Sequence, residues 1–240
     1  MVKGQIAIIP ARGGSKRLPK KNIMDFQGKP MIAWTVEAAL RSNHFERVLV
    51  STDDHEIADV SVEYGAEVPF LRKAATDDHA PVSAATLGAL KQAEDHWDTH
   101  FDLVVQLMPN CPLRNADDID SALRSFCSYH HEAKFQISCF QFGWMNPWWA
   151  AKLDPSGKPV RLFPEAAAER SQDLSDLFCP TGAIWVASAE ALRETKTFYG
   201  PGHRFEPMPW QNAVDIDDEG DLRFAEALAY LKSGVTAYAR

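Results

Sequence analysis

What this chain lacks narrows it first. It has no excess of basic charge: 25 Lys and Arg stand against 33 Asp and Glu, a formal net charge of -8. A general nucleic-acid or membrane-surface binder needs a basic face, so neither partner is expected. Cysteine is scarce: Cys111, Cys127, Cys139 and Cys179 form no C-x-x-C pair. That excludes a disulfide framework and a thiolate metal site, and the thiols read as reduced in a cytoplasmic protein. The apolar run near the start, IAIIP at residues 6–10, is too short for a signal peptide or a bilayer span. Internal repeats and low-complexity segments are absent.

What is present is an alternation of strand and helix signals in the first half. Gln5–Pro10 (QIAIIP), 47–52 (RVLVST) and 101–108 (FDLVVQLM) read as buried strands. Between and after them, 30–42, 54–64, Val82–Trp97 and Ala116–Tyr129 carry apolar residues at helical spacing. Pro30 opens the first helix and Gly65 follows the second, where each is tolerated. Strands separated by such helices imply right-handed βαβ units and a mostly parallel sheet. Later, 135–140 and 183–187 read as strands, 214–217 as an extended stretch and 221–232 as a closing helix. Residues 141–165 break the pattern with four Pro and three of the seven Trp. Linkers are not Trp-rich, so this is an excursion from one domain spanning 1–240.

The loop after the first strand, ARGGSKRLPKKN, packs Arg12, Lys16, Arg17, Lys20 and Lys21 into ten positions. In a parallel α/β sheet this is the carboxyl end, where ligands bind. Gly13 and Gly14 permit close approach and positive φ, and successive N–H groups there can form an anion nest. Arg12 suits bidentate phosphate binding, with Lys16 and Lys21 as point charges. The loop is neither GxxxxGK[ST] nor GxGxxG. A solvated basic turn is the competing structural reading.

Near the end, VDID sets Asp215 and Asp217 two residues apart. In an extended segment they share a face, with Ile216 turned to the core. Paired carboxylates repel unless a cation sits between them, and Mg²⁺ takes one or two carboxylates plus phosphate oxygens and water. Acidic capping of the last helix explains the pair equally well on these residues alone.

Together the segments IAIIPARGGSKRLPKKN (6–22), GKPMIAWTVEAAL (28–40), RVLVSTDDHEIADVSVEYGAEVPFLR (47–72), PLR (112–114), RSQDL (170–174), GAI (182–184) and VDID (214–217) resemble the acylneuraminate cytidylyltransferases. The resemblance spans essentially the whole chain. It implies a three-layer, Rossmann-like nucleotidyltransferase fold. The implied reaction is CMP transfer from CTP to the anomeric hydroxyl of a nine-carbon keto-sugar acid, releasing pyrophosphate. It further implies Mg²⁺ held by Asp215 and Asp217, and a homodimer formed through 141–165. Carried onto this sequence, it gives catalytic roles to Arg12, Lys16 and Lys21. Nucleotide contacts fall to Ala11, Gly13, Gly14, Ser15, Asn22 and Arg72, with Ser83 as the counterpart of a family Ser or Thr that contacts the cytosine ring.

On the acceptor side the resemblance points to Met108, Asn110, Arg170, Gln172 and Thr181. Sialic-acid enzymes commonly read LQPTSPLR where this chain reads LMPNCPLR, so Met108 stands in a glutamine's place and Asn110 in a threonine's. A thioether cannot replace an amide as a hydrogen-bonding group. Thr181 stands where those enzymes usually have Asn. Pseudaminate or legionaminate is therefore an alternative acceptor to N-acetylneuraminate, and ketodeoxyoctonate a more distant one. A non-catalytic nucleotide-binding protein is the reading from another class. A nicotinamide enzyme is disfavoured by the missing GxGxxG.

Overall fold

The computed structural model describes residues 4–73, 81–129, 133–170 and 172–233. Strand β1 (Gln5–Pro10) is buried along its whole length. A short ribbon of β2 (Asp25–Phe26) and β3 (Lys29–Pro30) closes the loop that leaves it. Helix α1 (Met31–Arg41) then leads to β4 (Arg47–Ser51), which pairs with β1 in parallel. Helices α2 (His55–Glu63) and α3 (Val82–Trp97) precede β5 (Leu103–Gln106), which pairs with the other side of β1, again in parallel. The chain continues through α4 (Ala116–Tyr129) and β6 (Phe135–Gln141) to a hairpin of β7 (Ala151–Leu153) and β8 (Pro159–Arg161). It ends through β9 (Phe178–Ser188), α5 (Ala189–Thr195), β10 (Arg204–Pro207) and α6 (Glu219–Lys232).

The main sheet has the order β10-β6-β9-β5-β1-β4. Alternate side chains of its strands serve opposite faces. Ala7 and Ile9 pack with Val48, Val50, Ile32, Val36 and Ile119 in one core. Ile6 and Ile8 pack with Leu49, Val104, Leu90 and Leu192 in another. The first core draws on α1, α2 and α4, the second on α3 and α5, which makes three layers. Because both faces of β1 are covered, its sequence is a continuous apolar run and not an alternation. A third cluster, with Leu18, Phe26, Met31, Ile216 and Ala225, fastens α6 to the loop after β1.

Helices α3 and α4 occupy the spans that sequence periodicity assigns them. Helix α2 begins one residue late because Asp54 serves as its cap, accepting from the N–H groups of Glu56 and Ile57. Helix α6 begins two residues early, at Glu219, because Asp218 and Asp221 form a reciprocal capping box. Strand β9 is longer than expected and runs antiparallel to both β5 and β6. Strand β10 and helix α5 have no counterpart in the sequence reading. Both depend on long-range packing: β10 is held at the sheet edge by β6.

Candidate active site

A cavity of about 270 Å³ opens beyond the carboxyl ends of β1 and β5. Connections leave β1 and β5 in opposite directions, so this is the topological switch point where α/β sheets bind ligands. Among the described residues its wall holds five cations, Arg12, Lys16, Arg17, Lys21 and Arg72, and one carboxylate, Asp217. The cationic cluster of an acidic chain is therefore a pocket lining and not a scattered basic turn.

The loop is held from below. Ala11 N–H donates to Ser51 O at 2.9 Å, extending the β1–β4 pairing. Gly13 N–H donates to Asp53 Oδ1 at 2.9 Å. A Cβ on Gly13 would lie 2.6 Å from Asp54 Oδ2, so the glycine is required by close approach. Neither Gly13 nor Gly14 has positive φ, contrary to the sequence expectation; the left-handed residue of this loop is Lys20. The Gly13 N–H faces Asp53 and so does not stand open as part of an anion nest. Asn22 Nδ2 donates to Arg12 O at 3.0 Å, which ties the two ends of the loop together. Ser15 and Asn22 lie on the cavity wall, whereas Ala11, Gly13 and Gly14 do not.

Arg72 is no surface arginine. It is 7% exposed, and its guanidinium Nε has no partner among the described residues. Burial pushes its pKa down, Asp53 acts in the opposite direction, and Arg12 adds to the lowering. A buried cation facing a cavity suits an anionic or carbonyl-bearing ligand. Ser83 is buried in the first turn of α3, but Val82 and Ala85 of that turn form the wall in its place. Residues 74–80, which include much of the stretch expected beside the cytosine, lie outside the described residues.

Asn110 organises the acidic end of the site. It is 4% exposed, and its backbone carbonyl accepts from Ile216 N–H at 2.9 Å. Its Nδ2 donates to Asp215 Oδ1, to Ile216 O at 3.1 Å and to Asp217 Oδ1 at 3.4 Å. One amide thus gathers both aspartates, while Ile216 is fully buried between them, as the alternation requires. Asp215 is crowded by protein yet still meets solvent. That crowding, and then the charge of Asp217, raise its pKa to about 6. Burial opposes ionisation of Asp217 too, but hydrogen bonds from Lys21 and Arg17 hold it below its ordinary value. Lys21 Nζ donates to Asp217 Oδ1 and to Ile216 O, both at 2.8 Å.

The sequence pattern of the family described as Cytidylyltransferase matches residues 6–136. A pseudaminic acid cytidylyltransferase from Campylobacter jejuni subsp. jejuni is 36% identical over 225 residues, covering 93% of this chain and 95% of that protein. This chain belongs to the cytidylyltransferase family. A CMP-N,N'-diacetyllegionaminic acid synthase from Legionella pneumophila is 34% identical over 235 residues, covering 94% of this chain and 96% of its own. A solved CMP:2-keto-3-deoxy-manno-octonic acid synthetase complexed with CTP shares the fold, with a TM-score of 0.69 at 17% identity and coverage of 96% and 100%.

Within this cytidylyltransferase, the residues expected on the acceptor side separate into two groups. Met108 and Asn110 line the cavity. Thr181 is buried behind it, its hydroxyl donating to Ala213 O at 3.0 Å. Arg170 and Gln172 are exposed, and neither is on the wall; Arg170 grips Asp173 with two bonds, at 2.6 and 3.1 Å. Sequence reasoning gave no role to three contributors. Arg17 reaches Asp217, and Asp53 holds Gly13. Arg114 is fully buried beneath the floor, donating to Ala183 O at 2.7 Å and Met108 O at 3.3 Å. Burial depresses the pKa of Arg114 to about 10. The PLR motif was a signal for Arg114; nothing local marks Asp53.

Proposed function

We propose that this protein transfers CMP from CTP to the anomeric hydroxyl of a nonulosonic acid, releasing pyrophosphate. The observation that carries this reading is the switch-point cavity on whose wall the described residues place five cations and one carboxylate. The acceptor oxygen attacks the α-phosphorus, the bond to the β-phosphate oxygen breaks, and the acceptor's proton is lost to solvent. Such a transfer is governed by positioning and charge neutralisation. Arg12, Lys16 and Lys21 meet the charge on the triphosphate and the departing pyrophosphate. Arg72 meets the nucleotide from its buried position, and Ser15 and Asn22 shape the loop around it.

Asp215 and Asp217 would hold Mg²⁺. The donor set fits, because Asn110 brings two carboxylates together and their mutual repulsion favours a cation. Among the described residues no group of three or more His, Cys, Asp or Glu could hold a metal. Mg²⁺ there would have to take its remaining ligands from phosphate and water. When bound, Mg²⁺ neutralises triphosphate charge and polarises the α-phosphate.

For the acceptor, the pseudaminate or legionaminate class is favoured over N-acetylneuraminate. Those are the sugars in the names of the two relatives, and Met108 offers no amide to the cavity. The protein is read as cytoplasmic, and no helix among the described residues is long and apolar enough to cross a membrane. A homodimer through 141–165 is supported by exposed apolar side chains there, Trp144 at 85% and Leu153 at 72%. A sedimenting monomer at micromolar concentration would count against it.

The test of function is pyrophosphate release from CTP and Mg²⁺ with pseudaminate, legionaminate, N-acetylneuraminate and ketodeoxyoctonate in parallel. Turnover of one nine-carbon acid is expected. CTP raising the melting temperature with no turnover of any acid would favour a non-catalytic nucleotide-binding protein.

A further inference from the structure

Arg17 has no task in the transfer just described, yet it makes a defined contact. Its Nη2 donates to Asp217 Oδ2 at 2.7 Å, while Lys21 Nζ takes Oδ1 of the same carboxylate at 2.8 Å. Both oxygens of Asp217 are thus occupied by cations, whereas Asp215 receives a neutral amide from Asn110. The two cations are not equivalent. The Lys21 side chain is 14% exposed and also bonds the Ile216 carbonyl, so it is built into the floor. The Arg17 side chain is 65% exposed and reaches the site from the rim of the cavity wall. An exposed ion pair is weak and exchanges readily. A triphosphate in the cavity offers a guanidinium a stronger, bidentate partner.

We propose that Arg17 is an exchangeable latch on Asp217, holding it in the nucleotide-free protein and passing to the triphosphate when CTP binds. The inference rests on Asp215 and Asp217 being a divalent-cation site. In the latched state Arg17 competes with the cation for Asp217 Oδ2 and repels it by like charge. Release of Arg17 by CTP lifts both effects. Arg17 is therefore a positioning residue that couples the two ligands, and by reciprocity the cation favours CTP binding through the same exchange.

The test uses Mn²⁺ as a spectroscopic probe, with free ion read by electron paramagnetic resonance on the full chain. Wild type, Arg17→Gln and Asp217→Asn are compared without nucleotide. Arg17→Gln is expected to bind Mn²⁺ roughly two- to fivefold more tightly than wild type, the scale of one exposed charge beside a carboxylate. By calorimetry without metal, the same variant is expected to bind CTP more weakly by a similar factor. Equal or weaker Mn²⁺ binding by Arg17→Gln, with Asp217→Asn clearly impaired, would overturn the latch and leave the metal site standing. Mn²⁺ binding unchanged in Asp217→Asn would remove the metal assignment itself, and the latch with it.

Discussion

The side chain of Met108 lies across the bare face of Gly182. A Cβ on Gly182 would come within 2.8 Å of Met108 Cγ, and the backbone amide of Met108 meets the Gly182 carbonyl at 3.4 Å. The absence of a side chain at 182 therefore sets where the thioether sits on the cavity wall.

Gly182→Ala is expected to force Met108 into another χ1 rotamer and so move its thioether along the cavity wall, because the colliding atom is Cγ, next to the backbone-anchored Cβ. Steady-state kinetics should show the acceptor's KM raised about tenfold, with the KM for CTP within twofold of wild type, the scale of about 1.4 kcal/mol. A rise confined to the CTP term would place Met108 against the nucleotide.

Gly13→Ala attacks the loop from beneath. The new methyl would collide with Asp54, the residue that caps α2. Overpacking there should cost about 1–3 kcal/mol of stability and weaken CTP binding as the loop is pushed outward. Thermal melts with and without CTP check both parts; an unchanged melting temperature would mean that the loop has room which the close approach denies.

Asp53 holds Gly13 by a hydrogen bond and also acts on Arg72 by charge. Asp53→Asn keeps an acceptor oxygen for Gly13 N–H and removes only the charge, whereas Asp53→Ala removes both. We expect Asp53→Ala to raise the KM for CTP at least fivefold more than Asp53→Asn, since the loop's hydrogen bond is worth about 1 kcal/mol. Equal effects of the two variants would assign the whole role to charge.

The raised pKa of Asp215, about 6, gives a pH signature in metal-free protein. The unfolded chain loses this proton near the ordinary carboxylate value, and the folded chain retains it until about pH 6. The folded state binds more protons in that window, so stability falls as pH rises through it. Asp215→Asn should melt higher than wild type above about pH 6, with the gain shrinking to nothing near pH 4. A gain that persists at pH 4 would trace the effect to packing.

Much of this was legible from local sequence. Periodicity gave α3 and α4 their full spans, and the cation cluster together with its place after β1 gave the cavity wall. What stayed hidden depends on partners far along the chain. No local feature tells that Asn110 would be spent on residues 105 to 107 positions away, or that Thr181 would turn to Ala213. The glycine pair suggested positive φ because that is glycine's commonest use, yet Gly13 is needed for want of space above Asp54. The direction of β9 was equally illegible, since an apolar strand reads the same in either orientation.

That reversed strand has a consequence for how the protein is made. Without β9 the sheet falls into β4-β1-β5 on one side and β6 with β10 on the other. During synthesis the outer edge of β5 must wait for residues 178–188, which seal it antiparallel. The cation-bearing loop and the Met108-bearing loop both belong to the early half, so most of the cavity wall is laid down first. Gly182 arrives with the closing strand. An unpaired inner strand edge is sticky while it waits, so interruption of translation between residues 107 and 177 should leave an aggregating fragment in place of a half-enzyme.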